Sequence, residues 1–268
     1  MYKKIILSAV LLSITLLLQA STYSFQKRDV GKFTSIRSSS SVDIIVEQTG
    51  KYELEVRAAE KYFEYIKTEV NNGELNIYIK GSLNYSGQIA IYIQVKDLNA
   101  VVISGSGDFS TKGVLVAPAF SFRVSGSGDF FADLNSKNVI GSLSGSGDAK
   151  LSGITESIDI QQSASGDLSL KGLHLISAKL RMSGSGDSIF SGSSDYFELS
   201  QSASGDFSGK DFTVENAKIR KSSSGDASIH VEKTLDLTIS GSGDLYYSGK
   251  PDITDLRITG SGNIIRIK

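Results

Sequence analysis

From residue 101 onward, apolar and polar residues alternate in short bursts, and the bursts recur around a repeated aspartate. Seven residues before that aspartate stand Val101, Phe122, Gly141, Ile160, Leu180, Leu199, Ile219, Leu237 and Leu256. Five before it stand Ile103, Val124, Leu143, Gln162, Met182, Gln201, Lys221, Ile239 and Ile258. The residue between them is mostly polar, as in Arg123, Gln161, Arg181, Arg220 and Arg257. Apolar–polar–apolar is the period of a half-buried strand, and no helical period fits this region.

The aspartates close a motif that runs from Ser104-Gly-Ser-Gly-Asp108 to Ser240-Gly-Ser-Gly-Asp244, with a ninth copy, Thr259-Gly-Ser-Gly-Asn263. Successive copies lie 21, 19, 19, 20, 19, 20, 18 and 19 residues apart. A fixed period near twenty marks a solenoid, whose units bury their apolar faces only by stacking. Carried through the motif, the alternation places glycine or alanine inward and both serines and the aspartate outward. The glycines are expected where a sharp bend leaves no room for a Cβ and demands backbone angles that glycine tolerates best. A further glycine five residues after the aspartate, as at Gly113, Gly153, Gly172, Gly192 and Gly249, predicts the next corner. The expected fold is all-β: a single-stranded, right-handed parallel β-helix of about nine rungs, about 4.8 Å apart and about 40 Å long in all.

Residues 21–100 predict a β-rich N-terminal cap and residues 101–268 the regular array. Ser39-Ser-Ser-Val-Asp43 keeps the register of the later motifs, with Ile36 seven before the aspartate and Ile44 just after, so it reads as a degenerate first rung. Asn72-Gly73 is a two-residue hairpin turn between Ile66-Lys-Thr-Glu-Val70 and Leu75-Asn-Ile-Tyr-Ile79. Seven of the eleven tyrosines fall between Tyr23 and Tyr92, where they suit cap packing or a sugar-stacking surface.

Residues 1–20 are a different object. Lys3 and Lys4 precede an apolar run over 5–18, and small residues follow at Ala20 and Ser21, as in a cleaved secretory signal. The run is short for a membrane span. Its removal leaves 26 basic and 29 acidic residues, a net charge of −3. That balance gives no reason to expect a nucleic-acid partner. With no cysteine, disulfides and thiolate chemistry are excluded.

The aspartate column invites a functional reading. Asp108, Asp129, Asp148, Asp167, Asp187, Asp206, Asp226 and Asp244 would stand about 5 Å apart, where like charges repel by about 1 kcal/mol in water. A calcium ladder would relieve this, but calcium wants six to eight oxygens, and one aspartate plus serines supplies them sparsely. Hydrogen bonds from backbone N–H groups at each corner are the preferred explanation. No catalytic residue and no cofactor is assigned. His174 and His230 fall in different rungs and read as surface residues, and near-identical aspartates lack the local irregularity an active site needs.

Phe33-Thr-Ser-Ile36, Val42-Asp-Ile-Ile-Val46, Gly73-Glu-Leu-Asn-Ile77 and the repeated Gly-Ser-Gly-Asp together resemble the auto-transporter adhesin "head GIN" domain family of exported bacterial proteins. The resemblance spans essentially the whole mature chain. It implies a β-helix and brings no catalytic residues. No membrane-barrel segment follows the repeats, so self-secretion is not expected. The expected function is a non-enzymatic, adhesin-like binding or structural role in the envelope, in the periplasm or at the cell surface. Its expected partners are a cell-surface polysaccharide or an envelope protein. A carbohydrate-active enzyme or carbohydrate-binding module is the alternative. The final strand, with Ile264 and Ile267, also predicts an open edge suited to end-to-end self-association, unless Arg266 and Lys268 guard it.

Overall fold

The computed structural model describes residues 24–85 and 87–268; the expected signal segment lies outside them. One twenty-stranded sheet winds into a β-solenoid of about nine turns, with no α-helix among the described residues.

The N-terminal part contributes β1 (Ser24–Arg28), β2 (Ser35–Ser38), β3 (Asp43–Gln48), β4 (Glu53–Ala58), β5 (Ile66–Asn71), β6 (Glu74–Ile79) and β7 (Ala90–Val95). The regular array begins with β8 (Ala100–Ile103), β9 (Phe109–Thr111), β10 (Leu115–Val116) and β11 (Ala119–Val124). Long bent strands follow: β12 (Phe130–Leu143), β13 (Ala149–Gln162), β14 (Leu168–Met182), β15 (Ser188–Gln201), β16 (Phe207–Lys221) and β17 (Ala227–Ile239). The last turn holds β18 (Leu245–Gly249), β19 (Asp252–Ile258) and β20 (Ile264–Arg266).

The register expected for the first rung holds. Ile36 pairs with Val101 and Ile44 with Phe109, in parallel. The rung is not terminal, however. β6 and β7 form another layer on its far side, pairing Leu75 with Ile36 and Ile91 with Ile44. The chain therefore lays down β2–β3, doubles back for β6–β7, and passes over to β8–β9. Antiparallel strands close that end: β4 on β7, β5 on β6, and β1 on β4. The β5–β6 turn is the expected one, with Asn72 and Gly73 at φ 52 and 78.

Parity holds along the array, and the inward column is fully buried, from Val101 and Ile103 to Leu237 and Ile239. Phe109 stacks on Phe130 at 4.7 Å and Phe122 stacks on Phe130 at 5.1 Å. Gly141 makes this possible, because a Cβ there would lie 2.3 Å from the Phe122 ring. The motif glycines face inward as expected, but none has a positive φ. Their reason is steric: a Cβ on Gly186 would lie 2.1 Å from the carbonyl oxygen of Gly166 in the layer beneath. Left-handed backbone belongs instead to the second corner, as at Gly153 with φ +75.

Three polar side chains are fully buried in the inward column: Gln162, Gln201 and Lys221. Gln162 Nε2 donates to Gly166 O and Asp187 O at 3.0 and 3.1 Å, and its Oε1 accepts from the Ser188 hydroxyl. Gln201 repeats the first two bonds, to Gly205 O and Asp226 O at 2.8 and 3.2 Å. Its Oε1 is left without a partner, because Ala227 stands where the other layer has Ser188. An unmet buried acceptor costs about 1–3 kcal/mol. Ala227→Ser is therefore expected to stabilise the fold, and Ser188→Ala to destabilise it, each by about 1 kcal/mol in chemical denaturation. Shifts of reversed sign, or none in either variant, would refute the account.

Candidate functional site

Each aspartate of the column binds the backbone of the next layer. The N–H of Asp129 donates to Asp108 Oδ1 at 2.8 Å, and the same bond joins Asp148 to Asp129 and Asp167 to Asp148 at 2.9 Å. It continues from Asp187 to Asp167, Asp206 to Asp187, Asp226 to Asp206 and Asp244 to Asp226, at 2.7–2.8 Å. The ladder starts earlier than the repeats, since Asp108 N–H donates to Asp43 Oδ1 at 3.1 Å. It ends at Asn263, whose backbone N–H and side-chain amide both donate to Asp244 Oδ1. Those bonds hold the Asp244 carboxyl below the usual carboxylate range. At this corner the side-chain oxygen does what a strand carbonyl does elsewhere. Among the described residues no group of three or more histidines, cysteines, aspartates or glutamates is placed to hold a metal ion.

Among the described residues, the tyrosines of the cap do not form one aromatic platform. Tyr62 is buried beside Tyr85 at 6.1 Å, Tyr52 packs on Phe33 at 5.5 Å, and the Tyr78 hydroxyl bonds Glu69. Tyr92 is different. It points outward from β7 in a transverse row that pairing aligns as Lys27, Glu55, Tyr92, Ile45 and Ser110. The antiparallel β4 raises one wall of this row and makes a cleft of about 760 Å³.

The cleft sets charged side chains over apolar surface that includes Ile45, Tyr52 and Ile93. The Arg57 guanidinium lies 3.9 Å over the Tyr92 ring and 2.6 Å from Glu55 Oε1. Lys112 Nζ is 3.1 Å from Glu47, and Lys51 Nζ is 3.9 Å from Glu53. Its wall is pinned by Arg28, which donates to Ile66 O, Phe63 O and Thr68 Oγ1. Burial lowers the Arg28 pKa, but a guanidinium remains charged.

The same row continues along the solenoid from Ser110 to Phe131, Lys150 and Ser169. A second recess of about 210 Å³ opens there, bordered by Thr111, Phe131, Asp133, Lys150, Ser152 and Lys171. Lys150 Nζ sits 5.2 Å over the Phe131 ring. Tyr92 and Phe131, each under a cation, are three strand spacings apart, about 14 Å. His174 and His230 share a different outward column, bonded to Ser193 and Ser248, and meet no acid there.

The outward parity of Tyr92 and Glu55 was readable from alternation in their segments. What brings them together, β4 lying antiparallel on β7, has no signal in the spacing of residues.

Comparison with known proteins agrees with this architecture. The family model described as "Putative auto-transporter adhesin, head GIN domain" matches residues 32–188 and 163–251. Among curated proteins no sequence match is found. A solved "putative lipid binding protein" from Parabacteroides distasonis is similar at 26% identity and TM-score 0.68, over 93% of this chain and 98% of that one. A "putative adhesin" from Parabacteroides merdae shares the fold at 19% identity and TM-score 0.67, with 93% and 98% covered. Another "putative adhesin" from P. distasonis does so at 20% and 0.68, with 92% and 98% covered. The aspartate ladder, the stacked glycines and this match across most of the chain lead to one assignment: the chain belongs to the auto-transporter adhesin, head GIN domain family.

Proposed function

We propose that this chain is an exported, adhesin-like binding protein of the cell envelope, without catalytic chemistry, that holds an extended cell-surface polysaccharide along the row from Tyr92 to Lys150. The observation that carries this is the alignment of two ring-and-cation pairs, Arg57 on Tyr92 and Lys150 on Phe131, in one transverse row of the sheet. A sugar polymer offers hydroxyls in every direction and weakly polar ring faces. Planar donors, carboxylates and aromatic rings on a rigid surface match that chemistry.

The non-catalytic reading is supported by the family description, which is that of an adhesin. The same description supports an exported chain.

The test is calorimetric titration with purified envelope polysaccharide. Arg57→Ala and Phe131→Ala are each expected to weaken binding about tenfold, with Ser200→Ala, on another face, unchanged. Unaltered binding in both groove variants would refute the site. Release of shortened polymer would refute the non-catalytic reading, and capture of an envelope protein with no polysaccharide bound would refute the ligand class.

A further inference from the structure

The two ends of the solenoid differ. At the cap, inward residues of the closing strands are covered: Leu54, Val56 and Ile66 are at most 1% exposed. At the other end β19 lies on β17, with Leu237 opposite Leu256 and Ile239 opposite Ile258. Leu237 and Ile239 are fully buried, whereas Leu256 and Ile258 are 49% and 47% exposed, with Ile253 at 42%. These are inward-column residues whose outer neighbour is missing. The exposed surface is therefore a cross-section of the core, and it extends the apolar end beyond Ile264 and Ile267, where the sequence alone had placed it.

We infer that this face binds a second copy of the same chain tail to tail, with β19 pairing antiparallel to β19 of the other copy about Leu256. A twofold axis perpendicular to the sheet pairs strand edges antiparallel and keeps inward side chains inward in both copies. With Leu256 on the axis, Leu256 meets its own counterpart, and Asp255 of each chain stands opposite Arg257 of the other. A shift by one residue either way puts Asp255 against Asp255, or Arg257 against Arg257. The Leu256 register is complementary in charge, with two Asp255–Arg257 pairs across the axis. Both side chains are available, since Arg257 and Asp255 are 71% and 46% exposed and hold each other at 3.2 Å within one chain.

A further feature favours a closed pair over an open stack: the capped end offers no matching cross-section, so head-to-tail growth has no acceptor.

The test is light scattering and sedimentation of the chain over a concentration series. A dimer is expected, and Arg257→Asp should weaken it on the order of tenfold, because two pairs become like-charged. The double swap Asp255→Arg with Arg257→Asp should restore it. Unchanged Tm in the variants, at a dilution where all are monomeric, separates association from folding. A wild-type monomer at the highest concentration, growth beyond a dimer, indifference to Arg257→Asp, or failure of the double swap would each overturn the inference.

Discussion

Gly186→Val is expected to lower stability by about 3 kcal/mol, about 10 °C in Tm, while the adjacent Ser185→Thr leaves Tm within about 1 °C. Gly186 faces inward, and even a single added carbon would lie 2.1 Å from Gly166 O and 2.7 Å from Gly166 C. Those are backbone atoms of the layer beneath, so no side chain can swing away. Relief requires the two layers to part, which breaks the bonds from Ser185 N–H and Gly186 N–H to Ala164 O at 3.0 and 3.2 Å. Ser185 faces solvent, where an extra methyl meets no layer. Thermal unfolding followed by circular dichroism decides the matter. Equal midpoints for the two variants would show that inward and outward positions had been exchanged.

Lys221→Met is expected to raise stability by about 1–3 kcal/mol. Lys221 is 1% exposed, and its Nζ has one long bond, 3.5 Å, to Ser223 O. Burial pushes its pKa down, and the nearby Asp226, Asp206 and Asp244 offset this only in part, because they act from the wet side of the corner. Met182 fills the same column position two layers earlier, so the methionine has a native precedent. The pH dependence follows from the sign of the shift. Below the lowered folded pKa both states carry the charge, and the burial penalty is present in full. As pH rises from there toward the ordinary lysine value, the unfolded chain binds more protons than the folded one, so stability rises. The difference between Lys221→Met and wild type should therefore shrink between neutral and alkaline pH. A constant difference, or a destabilised methionine variant, would mean the aspartates outweigh burial.

Much of the fold was legible because stacking repeats the same demand every twenty residues. The inward parity of Val101 through Ile239, the register of Asp43 and the turn at Asn72-Gly73 all follow from local pattern. The layer formed by β6 and β7 did not, since residues 74–95 carry no Gly-Asp corner and spacing alone does not say which layers are neighbours. The candidate site was legible only in pieces: the sequence marks Glu55 and Tyr92 as outward, and the antiparallel return of β4 brings them together. One signal was present and is explained only by the structure. Wherever the inward residue is polar, the first motif glycine changes: Gln162 precedes Ala164, Gln201 precedes Ala203, and Lys221 precedes Ser223. Each glutamine curls back onto the carbonyl four residues on, Gly166 or Gly205, within its own corner.

The doubled-back path at the capped end also sets an order of assembly. Residues 35–48 lie between two layers that are both made later, and the ladder bond from Asp108 to Asp43 spans 65 residues. That closure is entropically the most demanding in the ladder, because each later step spans only 18 to 21 residues. A chain emerging amino end first can therefore close the first step of the ladder only when about residue 110 has appeared, after β6 and β7 have been laid on its opening strands. Thereafter it winds forward one turn at a time on a finished template. Faults in the later turns would leave that template intact, whereas a fault in residues 35–48 would leave nothing for the winding to start from.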